Sequence, residues 1–428
     1  MTLHSAPLKN PLGALRPIPY MGVIFVVAEA MKLGFTNGDP DWCNLGQGQP
    51  EIGEMQGAPA RIDELRIEPG DHAYGPIDGT PALRTAIAEH YNRLYRVGKS
   101  SRYGPENVSV AAGGRLMLSR VFAALSTGRL GYQVPDYTAY EDMIGYHQHR
   151  FEPIPIFTDE ESGFRLPAAR LAQIVEQQKL SAFLFSNPCN PTGQAVRGAE
   201  LEAYVDIARK GCTMIFDEFY SHFIYDGEKP GSGPISAAEY VDDVENEPTL
   251  LIDGLTKNYR YPGWRVGWVV GPQAMVNVIG RAASAIDGGP SAPIQRAALQ
   301  VLEPERADQE TRAVRDVFSR KRNLMVERLA RMGIRFASDC DSTFYVWGSV
   351  AGLPAPLNDP ETFFRRALER KVMTVPGTYF DVNPGKRRTG PSPLASWMRF
   401  SFGPPEDNVR LGLDRLDEMI QAASPIYS

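Results

Sequence analysis

Cysteine is scarce: Cys43, Cys189, Cys212 and Cys340 are the four in 428 residues, they lie far apart, and no C-x-x-C spacing occurs. This argues against a structural zinc site and against a disulfide framework, and it fits a reducing, cytoplasmic setting. Positive charge is not in excess either. The 45 Lys and Arg residues face 51 Asp and Glu, a net charge of −6, so there is no basic field for nucleic acid and no nucleic-acid partner is expected. Nowhere do eighteen apolar residues run together, and the opening "MTLHSAPLKNPLGALRPIPYMG" lacks a basic start followed by an apolar stretch. A soluble, non-secreted protein without a membrane partner is expected. Internal repeats and low-complexity segments are missing, apart from Pro/Gly-rich loops at 352–360 and 384–393.

What is present is a globular composition, 43% hydrophobic, over a length that suits a large domain with a smaller companion. "TPALRTAIAEHYNRLY" (80–95) has a Thr cap, Pro81 in the first turn, and Leu83, Ile87 and Leu94 on one stripe, which predicts an amphipathic helix. Strands are expected at 108–111, 181–186, 213–217, 249–253 and 266–270, with helices at 114–125 and 199–210. Such alternation implies an α/β fold with a largely parallel, doubly covered sheet, the last three strands leaving room for an antiparallel member. From about 310 a long charged helix pattern, short strands and a final helix near 406–422 read as a second, α+β domain. The expected division is a large domain at 51–310 and a small one made of 1–50 and 311–428, with the apolar arm "YMGVIFVVAEAM" (20–31) packed on the latter.

In open α/β sheets ligands sit beyond the carboxyl ends of the strands. Four polar features stand there: Gly113-Gly114-Arg115 after "VSVA", "NPCNPTG" (187–193) after "SAFLFS", Asp217 at the end of "TMIFD", and Lys257 after "TLLID". Each has an ordinary explanation alone, namely a turn, a proline-rich loop, a helix cap or ion pair, and a snorkelling lysine. Free N–H groups at a helix start suit a phosphate, and a lysine placed among aromatic residues calls for a chemical reason.

Together and in this order these segments resemble the fold-type I class I/II aminotransferases, which use pyridoxal 5'-phosphate. The resemblance runs from "NLGQGQPE" (44–51) to "WMRFSFG" (397–403), through "YGPIDGTPALR" (74–84), "PDYTAY" (135–140), "NPCNPTG", "FDEFY" (216–220) and "TKNYRYPGWRVG" (256–267). It implies a mostly parallel, seven-stranded type of sheet. It also implies that Lys257 is the Schiff-base lysine, that Arg265 binds the cofactor phosphate, and that Asp217 pairs with the pyridinium nitrogen. By the same resemblance Asn190 and Tyr220 hydrogen-bond the ring oxygen and Tyr137 stacks on the ring. Gly114 and Arg115 then meet the phosphate, and Tyr74 reaches it from the neighbouring subunit of a homodimer. Arg399, with Gly48 and Asn190 near it, binds the substrate carboxylate. Two departures stand out. Arg115 replaces a small polar residue, and Gly254 stands where relatives commonly have Ser, so Arg115 is expected to make up for a lost phosphate contact.

The implied reaction is ping-pong transamination between an L-amino acid and a 2-oxo acid. The alternative is a lyase, cyclase, decarboxylase or oxidase on the same scaffold. A transcription regulator is not expected, because the roughly fifty residues before "GQGQPE" offer neither the room nor the basic charge for a helix-turn-helix domain. For the substrate side chain, "AASAIDGGPSAP" (282–293) carries no cation and includes Asp287, with Arg281 and Arg296 flanking it. Neutral or aromatic donors are therefore expected over aspartate, under an arm carrying Tyr20, Met21 and Phe25. Basic donors are expected if Asp287 faces the pocket, and aspartate only if Arg260 or another cation reaches it.

Overall fold

The computed structural model describes residues 12–15, 18, 20, 22–225 and 233–423. Along the chain come α1 (Gly22–Lys32), β1 (Cys43–Asn44), α2 (Pro81–Tyr95), β2 (Val108–Ala111), α3 (Gly114–Ala124), β3 (Gly128–Val134), α4 (Ala139–His147), β4 (Phe151–Phe157), α5 (Ala168–Gln178), β5 (Ala182–Ser186), α6 (Ala199–Arg209), β6 (Thr213–Asp217), β7 (Thr249–Gly254) and β8 (Gly267–Val270). Strands β2 to β8 form one sheet in the order β2-β8-β7-β6-β5-β3-β4. The pairings from β4 across to β7 are parallel, and β8 runs antiparallel to both β2 and β7. Strands β2, β5, β7 and β8 are buried at every position, as expected of a sheet covered on both faces.

Helix α2 begins where its sequence calls for it, with the Thr80 hydroxyl accepting from the Leu83 N–H at 3.4 Å and Pro81 in the first turn. Two strands carry no recognisable strand pattern. In β3, "GRLGYQV", a side chain at Gly131 would sit 2.5 Å from Leu180 Cδ1, so close packing of an α5–β5 connector demands glycine. In β4, "FEPIPIF", Pro153 and Pro155 occupy alternate positions of an edge strand, whose open side needs no N–H donor.

The chain continues with α7 (Gln273–Ile286), α8 (Ala292–Val301), α9 (Pro304–Arg331), β9 (Arg335–Phe336), β10 (Tyr345–Ser349), α10 (Pro360–Glu369), β11 (Val372–Met373), β12 (Val375–Pro376), β13 (Trp397–Ser401) and α11 (Glu406–Ala423). A second, antiparallel sheet has the order β12-β13-β10-β9. The charged helix α9 starts at Pro304, so residue 310 lies inside it. The first fifty residues are held against the C-terminal part: β1 pairs in parallel with β11, and the Glu51 N–H donates to the Gly403 carbonyl at 2.7 Å. Buried Lys321 on α9 ties the same two segments, donating to Glu51 Oε1 at 2.9 Å and to the Pro404 carbonyl at 2.7 Å. Among the described residues no helix is long and apolar enough to cross a membrane.

Candidate active site

Strands β2, β5, β6 and β7 point the same way, so the polar residues after each gather at one rim, around a cavity of about 710 Å³. Gly48, Gly114, Arg115, Tyr137, Asn190, Asp217, Tyr220, Lys257, Arg265 and Arg399 all line it. Tyr74 does not; its side chain is fully exposed elsewhere on the surface.

One end of the cavity is cationic. Helix α3 opens there after Gly113 (φ 96°), whose missing side chain leaves room for the Arg265 guanidinium. Arg265 itself takes a left-handed backbone (φ 54°), uncommon outside glycine, and its Nη1 donates to the Pro262 carbonyl at 3.0 Å. Arg115, on the first turn of α3, donates from Nε to the Tyr137 hydroxyl at 3.0 Å. Neither arginine forms an ion pair with a described residue, so two guanidiniums and a helix N-terminus face the cavity, whose lining carboxylates, Asp142 and Asp217, do not pair with them. At Gly254 a side chain would run into the Val266 carbonyl, which explains why no hydroxyl residue stands there.

Lys257 reaches in from the turn after β7, and its Nζ donates to the Gly48 carbonyl. Burial, and then the charges of Arg399, Arg115 and Arg265, pull its ammonium down to about 7. Asp217 ends β6 and is buried; burial pushes its carboxyl up to about 6, against the hydrogen bond it accepts from the Tyr140 hydroxyl at 2.6 Å.

Arg399, on β13, is buried and forms no ion pair with a carboxylate among the described residues. Its Nη1 donates to Asn190 Oδ1 at 2.7 Å, its Nη2 to the Gly46 carbonyl at 2.5 Å, and its Nε has no partner. The guanidinium lies 4.1 Å from the Tyr345 ring centroid and 4.9 Å from that of Phe380. Since Asn190 spends its oxygen on Arg399, its NH₂ end is the part left to donate. The Tyr220 hydroxyl lies 2.8 Å from that of Tyr345.

Two residues of this constellation escaped sequence reasoning. Tyr345 lies in "TFYVW", which reads as a plain core strand, and nothing in the sequence links it to Arg399 or Tyr220. Tyr140 could have been found, because it stands three residues after Tyr137 and so on the same face of the α4 entry.

Other expectations are corrected. Asp287 does not face the pocket: it pairs with buried Arg120, Oδ1 to Nη2 at 2.6 Å and Oδ2 to Nε at 3.0 Å, because an arginine inside the sheet–helix layer needs a charge partner. Asp287 therefore gives no ground for basic donors, and the acidic side chains that do line the cavity are Asp142 and Asp217. Arg260 is buried against Glu310 at 2.5 Å, Arg296 binds Asp71, and Arg281 is exposed; none lines the cavity. On the arm, Tyr20 borders the cavity, whereas Met21 lies outside the described residues. Phe25 turns away to pack on Phe364 and Tyr379, at centroid distances of 6.4 and 5.7 Å, and Val23 and Ile24 present their side chains in its place. With Leu118, one turn after Arg115 on α3, and with Met143 and Tyr146, they give the cavity an apolar lining.

The sequence pattern of the family described as aminotransferase class I and II matches residues 40–416. An aspartate/prephenate aminotransferase from Cereibacter sphaeroides is 28% identical, over 89% of this chain and 93% of the relative. An aspartate aminotransferase from Pyrococcus abyssi is 27% identical, over 93% and 94%. Among solved structures, the aspartate aminotransferase from Thermus thermophilus with maleate superposes with a TM-score of 0.75, covering 97% of this chain and all of that one; at 24% identity this likeness speaks for the fold.

Proposed function

Because the chain belongs to the class I and II aminotransferase family, it is a pyridoxal 5'-phosphate-dependent transaminase acting on amino acids and 2-oxo acids, and we propose that its preferred donors carry uncharged, apolar or aromatic side chains. The observation that carries the assignment of the cavity as the active site is Arg399: a buried guanidinium with an unpartnered Nε and no ion pair among the described residues, in one cavity with an amine held near neutrality. The relatives named above are aminotransferases, and the lyase, cyclase, decarboxylase or oxidase alternative has no support.

The residues fit the cofactor. Arg115, Arg265 and the N–H groups at the start of α3 would hold its phosphate, which supplies the charge those unpaired cations lack. Asp217 would hold the ring nitrogen; a buried carboxyl pushed up by desolvation gains from a cationic N–H partner. Asn190 and Tyr220 would donate to the ring oxygen, and Tyr137 would cover a ring face. When bound, the group supplies an electron-accepting ring that weakens the Cα–H bond of the amino acid. Arg399 orients the substrate through its carboxylate, next to Gly48. The Lys257 amine, its pKa pulled down to about 7 by burial and the neighbouring arginines, would take the proton from Cα and hand it to the cofactor carbon instead of back to Cα, so that the amino group stays behind when the oxo acid leaves. The same residues serve the second oxo acid in reverse, which gives ping-pong kinetics.

Tyr74, exposed and away from its own cavity, is assigned to the site of a second copy in a homodimer. The four buried, unpaired cysteines support a reducing cytoplasm. The separate sheets support a large domain near 51–310 with a small one formed by the two ends.

The side-chain preference rests on the wall of Val23, Ile24, Leu118 and Met143, with no fifth cation beside Arg115, Lys257, Arg265 and Arg399 among the described lining residues. A second reading, dicarboxylate donors, is favoured by the printed names of the relatives, with Arg115 as the available cation. Comparing kcat/KM for L-aspartate with that for L-leucine and L-phenylalanine, at one fixed oxo acid, decides between them. The proposal expects aspartate to be the poorest; aspartate as the best of the three would hand the side-chain pocket to Arg115.

A further inference from the structure

Tyr345, at the start of β10, meets Arg399, Tyr220 and Gly48, although it has no place in the roles assigned so far. Its ring lies under the Arg399 guanidinium at 4.1 Å. Its hydroxyl lies 2.8 Å from that of Tyr220, and the two rings meet edge-on at 5.4 Å. A side chain at Gly48 would stand 2.7 Å from the same hydroxyl, so glycine is needed there for Tyr345 to reach across. Tyr345 has no exposed surface, and its backbone is fixed by pairing with Ser401 in β13, two residues from Arg399.

We propose that Tyr345 is a positioning residue: its ring holds the plane of the Arg399 guanidinium, and its hydroxyl donates to Tyr220 so that the Tyr220 proton points into the cavity. The direction follows from counting protons. Two hydroxyls share one hydrogen bond, so one proton is left over. If Tyr220 donated to Tyr345, it would have none for the cavity; if Tyr345 donates, the Tyr220 proton is free and its oxygen is occupied. Either atom can be the donor on geometry alone. Burial pushes both phenols up and Arg399 opposes the rise at each, so both hydroxyls keep their protons and the count above holds.

The hydroxyl half of the inference rests on the reading that Tyr220 donates to the cofactor ring oxygen. The test therefore uses the holoenzyme and three variants, Tyr345→Phe, Tyr220→Phe and the double substitution. Two readouts are taken, the pH titration of the bound cofactor's absorbance and the binding of acetate followed by the same absorbance. Tyr220→Phe should raise the spectral midpoint, because a donor to the ring oxygen is lost. Tyr345→Phe should raise it in the same sense by at least about half a pH unit, and the double variant should go no further than Tyr220→Phe alone. Acetate binding should stay within about twofold in Tyr345→Phe, which keeps the ring, and weaken roughly five- to thirtyfold in Tyr345→Leu, which removes it. An unmoved midpoint in Tyr345→Phe beside a moved one in Tyr220→Phe overturns the inference alone, as does an additive double variant. An unmoved midpoint in Tyr220→Phe removes the donor role of Tyr220 and the inference with it. Acetate binding in Tyr345→Leu equal to that of the wild type would show that the ring does not hold Arg399.

Discussion

Replacing Arg399 by lysine keeps the charge and removes the fork. In the wild type two of the guanidinium's donors are committed, at 2.7 Å to Asn190 and at 2.5 Å to Gly46, and Nε with the remaining Nη hydrogens is left for a carboxylate. An ammonium presents three donors from one point, so it cannot satisfy both protein acceptors and grip two carboxylate oxygens at once. It also forfeits the guanidinium contacts with the Tyr345 and Phe380 rings. Charge-assisted hydrogen bonds contribute about 1.5–3 kcal/mol each; losing one or two while one survives weakens carboxylate binding by about 2–4 kcal/mol, or roughly thirty- to eight-hundredfold. The assay is kcat/KM of the half-reaction, in which amino acid is added without oxo acid and the cofactor absorbance is followed at 25 °C. An amino-acid amide, which lacks the carboxylate, serves as the control and should show less than about a threefold difference between variant and wild type on that same scale. A loss under about threefold for the amino acid itself, or an equal loss for acid and amide, would refute carboxylate recognition by Arg399.

Asp217→Ala should still bind pyridoxal phosphate through the cationic end of the cavity yet turn over at least about a hundredfold more slowly, at roughly tenfold per 1.4 kcal/mol of lost stabilisation; a near-normal rate would make Asp217 structural. Asp287→Ala leaves Arg120 buried and unpaired, so the urea-unfolding free energy should fall by about 3–5 kcal/mol while the ranking of lysine, leucine and aspartate as donors stays as in the wild type. A ranking that shifts among basic donors would put Asp287 back in the pocket. Lowering the Lys257 pKa to about 7 populates the neutral amine above that pH. Covalent uptake of pyridoxal phosphate by the apoprotein should therefore rise about tenfold from pH 6 to pH 8 and then level off; a rate still climbing toward pH 10 would mean an ordinary lysine.

The site was legible where chemistry follows directly on a strand. Asp217, Asn190 and Lys257 each come just after an apolar run, so strand order alone brings them to one rim. Glycine at 113, 114 and 254 was legible as unusual, though only packing tells that Gly254 has no room for a side chain. Strands β3 and β4 were hidden because an internal glycine and two prolines break the strand pattern, and the reasons they are tolerated, a close helix connector and an open sheet edge, are tertiary. The Arg120–Asp287 pair joins the middle of α3 to the residue just after α7, so no local spacing announces it, and Asp287 alone looked free to face a ligand. Tyr345 was hidden for a similar reason: an aromatic residue in an apolar strand is ordinarily core, and its hydroxyl matters through Tyr220 and Arg399, both distant in the chain. Phe25 and Ile24 are adjacent in sequence, and only the rotation of α1 decides which faces the cavity.

The central claim is that one lysine, in the cavity that also holds Arg399, carries the chemistry. Borohydride reduction of the holoenzyme, proteolysis and mass mapping of the pyridoxyl group test it most directly. The label is expected on Lys257 and should be lost from the protein in Lys257→Ala, with phosphate and ring contacts leaving some cofactor bound non-covalently; a label on any other lysine would contradict the account.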